Sequence, residues 1–241
     1  MKYLRLLILL CIFTSCEKEN TTLAFSEVTI LKETTTTIEI NMPKAQGNNP
    51  AAEKVNATLN NFVCEALHID AATPKKETLE QCMQDFNDAY SNFNTLISEE
   101  LKEELPKWEA LIDGEVIYST TNFVCIAMNS SINTGAANSS LILEFFNFDT
   151  KTGALLTTKD IINNTEDFTS LVKKYYNKEV TSSFIEAESL LNKNTFKLPK
   201  TLGFSEDGII ILYDNFSVGA FEKEIVEFTI PYEVANSYLK I

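Results

Sequence analysis

The sequence predicts an α+β fold in which antiparallel sheets pack against a few long amphipathic helices, arranged as two closely associated halves. Three segments, Pro50–His68, Thr78–Leu105 and Thr165–Ser182, carry apolar residues at helical spacing. Short segments rich in β-branched and aromatic residues precede and follow each helical region. This alternation of helical and strand patterns predicts sheets that are covered by helices.

The N-terminal half begins with two strand patterns, Leu23–Leu31 and Glu33–Met42, that predict a hairpin turning near Lys32 and Glu33. The first helix follows a Gly- and Asn-containing loop, and its apolar stripe consists of Val55, Leu59, Phe62, Val63 and Ala66. The second helix has a candidate capping box at Thr78 and Gln81. Its stripe consists of Leu79, Met83, Phe86, Tyr90, Phe93, Ile97 and Leu101. Both stripes indicate helices that bury one face.

A meander of strands follows, predicted at Trp108–Tyr118, Phe123–Met128 and Leu141–Phe148. The last strand is apolar at most positions on both faces, which predicts a central strand covered on each side. The segment Asn129–Ser140 is small and polar and predicts a loop of functional interest. Asp149–Gly153 predicts a tight turn with Gly153 at a positive φ.

The C-terminal half starts a helix with a cap at Thr157 or Thr158 and continues with the Thr165–Ser182 helix. A hairpin is predicted from Phe204 through the turn Glu206–Gly208 to Tyr213. Glu224–Ile230 reads as a last strand, and Pro231 is expected in the first turn of a terminal helix.

The N-terminus has the pattern of a bacterial lipoprotein signal. A basic start precedes the apolar run Leu6–Phe13, which is too short to span a bilayer, since a spanning helix needs about 20 residues. The next residues, Thr14-Ser15-Cys16, resemble a lipoprotein cleavage box, which makes Cys16 the predicted lipidation site. This pattern defines a signal peptide (1–15) and a polar tether (16–24). The two halves of the fold come after them, an N-terminal half (25–130) and a C-terminal half (131–241). We therefore expect an outer-membrane lipoprotein of the cell envelope, on either the periplasmic or the surface side.

The chain is acidic, with a net charge of −14. Removing Lys2 and Arg5 with the signal peptide leaves 18 basic and 34 acidic residues, a net charge of −16. An acidic surface disfavours nucleic acid as a partner, because phosphates need cations. It would attract a basic protein, although acidity that serves only solubility is an open alternative.

Of the five cysteines, Cys11 is removed with the signal peptide and Cys16 is lipidated, which leaves three thiols in the mature chain: Cys64, Cys82 and Cys125. Cys64 and Cys82 lie on consecutive predicted helices, so a helical hairpin would bring them within reach of a disulfide in an oxidising compartment. Cys125 lies in a strand pattern and is expected to pack as a small buried apolar residue. These thiols and the single histidine, His68, are too dispersed for a metal site, and His68 is expected to cap a helix or lie at the surface.

The chain lacks the sequence motifs of common catalytic and nucleotide-binding sites: G-x-S-x-G, the P-loop, H-E-x-x-H and the dinucleotide fingerprint. We therefore predict no catalytic residues, no metal and no cofactor. With 34 acidic residues, an envelope carbohydrate hydrolase using a carboxylate pair stays open as an alternative, as does an accessory subunit of an envelope complex.

The order of several short motifs resembles a known domain. These are the small-residue loop Thr134–Asn138, then Phe146–Gly153, Lys159-Asp160-Ile161, Phe204–Gly208 and Phe228–Tyr232. Together, over Thr29–Ile241, they resemble the extracellular domain of RsiV-type anti-sigma factors and the non-catalytic N-terminal region of PdaC-type peptidoglycan deacetylases.

The resemblance implies a binding role. In the RsiV-type family this domain binds lysozyme, a strongly basic protein that would suit an acidic surface. The family's loop usually reads Tyr-x-Gly-Gly-Ala-His, and this chain lacks its aromatic residue, one glycine and the histidine. The candidate binding loop is formed by Asn133, Thr134, Gly135, Ala136, Ala137 and Asn138. The leading hypothesis is a lipid-anchored, non-enzymatic module that binds lysozyme, another basic protein or a cell-wall glycan.

Overall fold

The structure is a computed structural model that describes residues 23–69, 78–101, 105–135, 139–182, 196–214 and 225–240. One sheet has the strand order β1 (Phe25–Glu33), β2 (Thr37–Ala45), β3 (Glu109–Ser119), β4 (Phe123–Asn133) and β5 (Ser140–Asp149). A second sheet is formed by β6 (Gly203–Phe204), β7 (Gly208–Asp214) and β8 (Ile225–Pro231). The helices are α1 (Pro50–Leu67), α2 (Leu79–Leu101), α3 (Thr158–Ile161), α4 (Thr165–Ser182) and α5 (Tyr232–Ala235). The predicted α+β class is confirmed.

One strand pair departs from the predicted antiparallel arrangement. β2 and β3 are parallel, with Ile38 opposite Ala110 and Ile40 opposite Ile112. The segment between them contains α1 and α2, and such a helical crossover returns the chain to the same end of the sheet. The first sheet is therefore mixed, because the helices connect two of its inner strands.

The first core lies between α1, α2 and one face of the five-stranded sheet. The fully buried side chains Ile40, Ile112 and Met128 from three strands meet Val55 and Leu59 of α1 there. On α2, the aromatic side chains surround the single tryptophan. The ring centroid of Trp108 lies 5.7 Å from Phe86, 5.6 Å from Tyr90 and 5.5 Å from Phe93. The predicted helical stripes thus provide one side of this core.

A polar contact inside this layer joins the β1–β2 turn to α2. The hydroxyls of Thr34, Thr35 and Thr36 donate to Oδ1 of Asn87 over 2.6, 3.1 and 2.8 Å, and Asn87 is buried. The Asn87 amide in turn donates to the Met83 carbonyl at 2.8 Å. The three threonines form the turn, so the hairpin turns later than predicted. Their hydroxyls are used for hydrogen bonding, which outweighs the β-propensity of threonine.

The second core lies on the opposite face of β4 and β5. Phe123 and Cys125 of β4 and Phe145 of β5 pack there with α4 and the second sheet. The neighbouring residues Val124 and Phe146 face the first core. β4 and β5 therefore serve both cores, and the predicted boundary between the halves, at 130/131, falls within β4.

β5 is the edge strand of its sheet, so its predicted central position is wrong. Its apolar residues on both faces reflect the layers above and below it. Its outer edge is partly covered by the returning chain: the Asp149 N–H donates to the Ala154 carbonyl at 3.0 Å, and the Leu156 N–H donates to the Asn147 carbonyl at 2.7 Å. The predicted turn with Gly153 at positive φ is confirmed, with φ +65.

The remaining elements follow the sequence pattern closely. Thr157 is the cap of α3, because its N–H and hydroxyl donate to the Asp160 carboxylate at 2.8 and 2.6 Å. The predicted hairpin is formed by β6 and β7. Pro231 was expected in the first turn of the terminal helix, but it is the last residue of β8 and immediately precedes α5. Its backbone values, φ −58 and ψ 146, are not helical. No described helix is both long and apolar enough to cross a membrane.

Candidate functional site

The most accessible polar surface of the first sheet lies on the face opposite the helices. The second core covers the part of this face near the start of β4 and leaves the rest uncovered. We call the uncovered part the open face; it consists of Glu27, Leu31, Glu39, Asn41, Leu111, Asp113, Glu115, Asn129 and Ser131. The pairing register places these residues side by side, because Leu31 is opposite Glu39, Glu39 is opposite Leu111, and Leu111 is opposite Ser131.

A groove of about 630 Å³ runs across the open face beside Gly114. Its polar lining includes the carboxylates of Glu27, Asp113 and Glu115 and the amides of Asn41 and Asn129. Within it, the Asn41 amide donates to Asp113 Oδ1 at 3.3 Å, and it also donates to Glu39 Oε1, next to the groove, at 3.2 Å. The groove therefore presents carboxylate acceptors, one of which, Asp113, is held in position by Asn41.

Gly114 is required for this arrangement. A Cβ atom at position 114 would lie 2.2 Å from the Met128 sulfur and 3.0 Å from Pro43 Cδ. Met128 is fully buried in the first core. Because Gly114 has no side chain, the Met128 side chain can pack directly against the backbone of β3, and the neighbouring residues Asp113 and Glu115 remain on the open face.

The charge of the open face is negative. Of the two lysines on the five strands, Lys32 pairs with Glu80 of α2 on the helix side, and Lys44 lies beyond the buried Pro43 at the end of β2. No described lysine pairs with Glu27, Asp113 or Glu115. Exposed carboxylates without cationic partners produce a field that attracts basic ligands.

The candidate binding loop starts at the border of this face. Asn133 is the last residue of β4 and pairs with Glu109, and Ser140 is the first residue of β5. The predicted loop at Asn129–Ser140 is therefore wrong for residues 129–133 and 140, which are strand. Pairing with β3 on one side and β5 on the other stabilises this strand despite its polar sequence. The Gly135 N–H donates to Asn133 Oδ1 at 2.9 Å, and Gly135 has φ +79. Ala136, Ala137 and Asn138 lie outside the described residues, as does the predicted lipidation site Cys16.

The cysteines occupy the positions that their helices and strand imply. Cys64 of α1 and Cys82 of α2 form a disulfide with Cα atoms 5.2 Å apart. The Cys125 thiol is buried in the second core, as predicted, and burial raises its pKa to about 12. This thiol is therefore a structural group, since a reactive cysteine needs access to its thiolate form.

The remaining polar candidates have local structural roles. His68 is the C-cap residue of α1, and its backbone N–H donates to the Glu65 carbonyl at 3.3 Å. Oδ1 of Asp149 accepts from the Thr152 N–H and hydroxyl, both at 2.8 Å, and from the Lys151 N–H at 3.1 Å. Partial burial opposes ionisation of Asp149, but the hydrogen bonds from Thr152 and Lys151 outweigh it and lower the pKa of the carboxyl. Among the described residues, no group of three or more His, Cys, Asp or Glu side chains is arranged to hold a metal ion.

The comparison with protein families concerns the N-terminal part of the chain. Residues 31–140, which include most of the open face and the whole candidate binding loop, match the family described as Deacetylase PdaC. The predicted resemblance to the PdaC-type family is thus confirmed over these residues, whereas lysozyme binding, which the RsiV-type resemblance implies, stays a prediction.

Solved structures with a similar fold cover nearly the whole chain. A DUF3298 family member from Bacteroides fragilis is 17% identical, covers 92% of this chain and 95% of its own, and has a TM-score of 0.64. A DUF3298 family protein from Pseudomonas aeruginosa is 15% identical, with 92% and 96% covered and a TM-score of 0.63. At these identities the likeness shows the fold alone. No curated protein matches the chain.

Sequence reasoning missed the open face as a site. The three carboxylates of its groove are Glu27 of β1 and Asp113 and Glu115 of β3, which lie nearly 90 residues apart in the sequence. They meet only because β2 pairs with β1 on one side and, in parallel, with β3 on the other. The available signal was the alternation along β3, in which the exposed residues Leu111, Asp113 and Glu115 are separated by buried or half-buried ones.

Proposed function

We propose that this chain is a non-enzymatic binding module of the cell envelope, anchored by lipid at Cys16, whose open face binds a basic protein. One observation carries the proposal: three exposed carboxylates, Glu27, Asp113 and Glu115, share one groove with no described lysine paired to them. Maintaining these charges together costs electrostatic free energy, which a cationic partner would recover.

The apolar content of the open face also supports a protein partner. Leu31 and Leu111 are exposed on it, on either side of Glu39 in the same row of the sheet. Protein interfaces commonly combine an apolar centre with a polar rim. Two leucines among acidic side chains provide both kinds of contact.

The envelope location rests on the N-terminal sequence and is supported by the disulfide. Cys64 and Cys82 are bonded between α1 and α2, and such bonds persist in oxidising compartments. The polar tether 16–24 leads from the proposed lipid to β1. Replacing Cys16 with Ala is expected to release the protein from the membrane fraction; a variant that still sediments with membranes contradicts the anchor.

The binding proposal is tested by titration with lysozyme, used as a strongly basic probe, at a series of salt concentrations. Affinity is expected to fall as salt rises, because salt screens exposed charges. The triple variant Glu27→Gln, Asp113→Asn, Glu115→Gln is expected to bind about tenfold more weakly, since each exposed charge pair contributes up to about 1 kcal/mol.

A matched control removes the same charge from the helix side of the sheet. The variant Glu65→Gln, Asp85→Asn, Asp88→Asn neutralises three exposed acids on α1 and α2. It is expected to bind as tightly as the unmodified chain. Equal weakening by both triple variants would mean that total charge, rather than the open face, determines binding. Absence of binding at low salt removes lysozyme as the partner.

The non-enzymatic part of the proposal has its own assay. The purified chain is expected to release no reducing ends from envelope polysaccharides. Turnover that disappears when a single carboxylate of the groove is neutralised would reassign the protein as a hydrolase.

A further inference from the structure

A second cavity, of about 310 Å³, lies near the C-terminal end of β3, where the two sheets meet. We call it the aromatic cleft; it is lined by Tyr118, Thr120, Phe123, Phe204, Tyr232, Asn236 and Leu239. Four of these seven residues are aromatic, and none is charged. They come from β3, β4, β6, α5 and the segments that follow β3 and α5, so the cleft exists only in the folded chain.

A β-bulge points Tyr118 into this cleft. The pairing of β3 with β4 shifts register between Val116 and Tyr118. Strict alternation would place Tyr118 on the same face as Val116, which packs against the first core. With the bulge, Ile117 and Tyr118 both pack on the side of the second core. Bulges of this kind often redirect a side chain next to a functional site.

The aromatic rings are held in fixed positions. Phe123 and Phe204 are buried and form the floor, with an edge-to-face contact at 4.8 Å between centroids. Tyr118 and Tyr232 are half-buried, with centroids 6.2 Å apart, so parts of both rings remain accessible. The Tyr232 hydroxyl donates to the Ser205 carbonyl at 2.9 Å, which fixes its ring. The cleft is therefore preorganised for a ligand.

Polar groups lie at the rim of the cleft. Thr120 and Asn236 are exposed there, and the Asn236 side chain makes no hydrogen bond to any described residue. Burial, together with the neighbouring Tyr118, raises the pKa of Tyr232, so its hydroxyl keeps its proton at physiological pH. The arrangement is an apolar floor with a neutral, hydrogen-bonding rim.

We propose that the aromatic cleft binds one neutral pyranose ring of a glycan. A pyranose presents an apolar face of C–H groups, which packs on aromatic rings, and an edge of hydroxyls, which bonds to groups such as the Asn236 amide. The cavity volume is at the lower end of the range for small ligands, about 300–1,000 Å³, which suits one ring better than a long chain. With no cation in the lining, an acidic sugar would lack a counter-charge. This inference is independent of the basic-protein proposal, because it concerns other residues and another ligand class.

The test uses saturation-transfer NMR on the full chain with three neutral trisaccharides: cellotriose, maltotriose and chitotriose. At least one is expected to receive saturation, with the strongest transfer to the C–H protons of a single ring. Replacing Tyr118 with Ala removes one wall and is expected to weaken binding about tenfold. Tyr175→Ala is the matched control, since Tyr175 is a half-buried tyrosine of the second core that stacks on Phe228 outside the cleft. This variant is expected to bind the trisaccharide with unchanged affinity.

A second variant guards against loss of folding in Tyr118→Ala. Asn236→Ala changes an exposed side chain that supports no described contact, and it is expected to weaken binding about threefold by removing one hydrogen bond. No transfer to any trisaccharide at millimolar concentration overturns the proposal. Unchanged affinity in both Asn236→Ala and a folded Tyr118→Ala also overturns it. Saturation transfer to indole, added as an aromatic probe, with none to any sugar would overturn it as well.

Discussion

Adjacent residues of β3 meet two very different environments. Ile112 is fully buried under α1 and α2, whereas Leu111 is 42% exposed on the open face. The same contrast separates Ile40 from Glu39 in β2, and Met128 from Asn129 in β4. Because side chains alternate along a strand, one sheet provides a buried face and an exposed face from alternate residues of the same strands. Stability and binding should therefore respond to different substitutions.

The largest effect is expected from Ile112→Ala. It removes a buried side chain from the first core, and such truncations lower the free energy of unfolding by about 2–5 kcal/mol. Leu111→Ala is the matched control and is expected to lower it by less than about 1 kcal/mol, because Leu111 stays largely in water. Urea unfolding of both variants measures the difference. Equal destabilisation would show that the open face is covered in solution.

The next effect comes from the disulfide within the helix layer. Cys64 and Cys82 close a loop with a sequence separation of 18, and the loss of such a crosslink lowers stability by about 3 kcal/mol. The double variant Cys64→Ala, Cys82→Ala is expected to melt at a lower temperature than the unmodified chain and to be insensitive to dithiothreitol. If reductant leaves the melting temperature of the unmodified chain unchanged, the disulfide is not formed in the purified protein.

A smaller effect is expected at the buried polar contact of the helix side. Asn87→Ala removes the shared acceptor of Thr34, Thr35 and Thr36, and it is expected to lower the free energy of unfolding by about 2 kcal/mol. Gln84→Ala, at an exposed position of the same helix, is expected to change it by about 0.5 kcal/mol or less. Chemical unfolding of the two variants provides the comparison. A neutral Asn87→Ala would mean that water replaces these hydrogen bonds at no net cost.

Local patterns of the sequence predicted most elements of the fold. The stripes of α1 and α2, the capping role of Thr157 and the turn at Asp149–Gly153 depend on residues close in the chain, so short-range rules identify them. The parallel β2–β3 pair and the edge position of β5 depend on how distant segments meet. The residues 129–133 read as loop because their small polar side chains hide the alternation of buried Ser130 and Ile132 with half-buried Asn129 and Ser131.

The candidate surfaces were less predictable for the same reason. The sequence indicated a loop at Asn133–Asn138, which begins at the border of the open face. It did not indicate the grouping of Glu27 with Asp113, which needs the register of three strands. The aromatic cleft was hidden as well, since the alternation of β3 places Tyr118 on the wrong face unless the bulge is known.

The smallest effect is expected at Asp149, the last residue of β5. Hydrogen bonds lower the pKa of its folded carboxyl, so its contribution to stability is present above the unfolded pKa, near about 3.9, and is lost as pH falls through the lower folded value. Asp149→Asn keeps the acceptor oxygen and removes the charge. Because this group is partly solvated, we expect a loss of only about 0.5 kcal/mol at pH 7 and a shallower decline of stability below about pH 4.

Asp207→Asn serves as control, since the Asp207 carboxylate accepts no hydrogen bond from a described residue; urea midpoints measured between pH 2.5 and 7 distinguish the two. If both variants have the same pH profile as the unmodified chain, the turn does not depend on the charge of Asp149, and the acid sensitivity of the fold must come from carboxylates elsewhere.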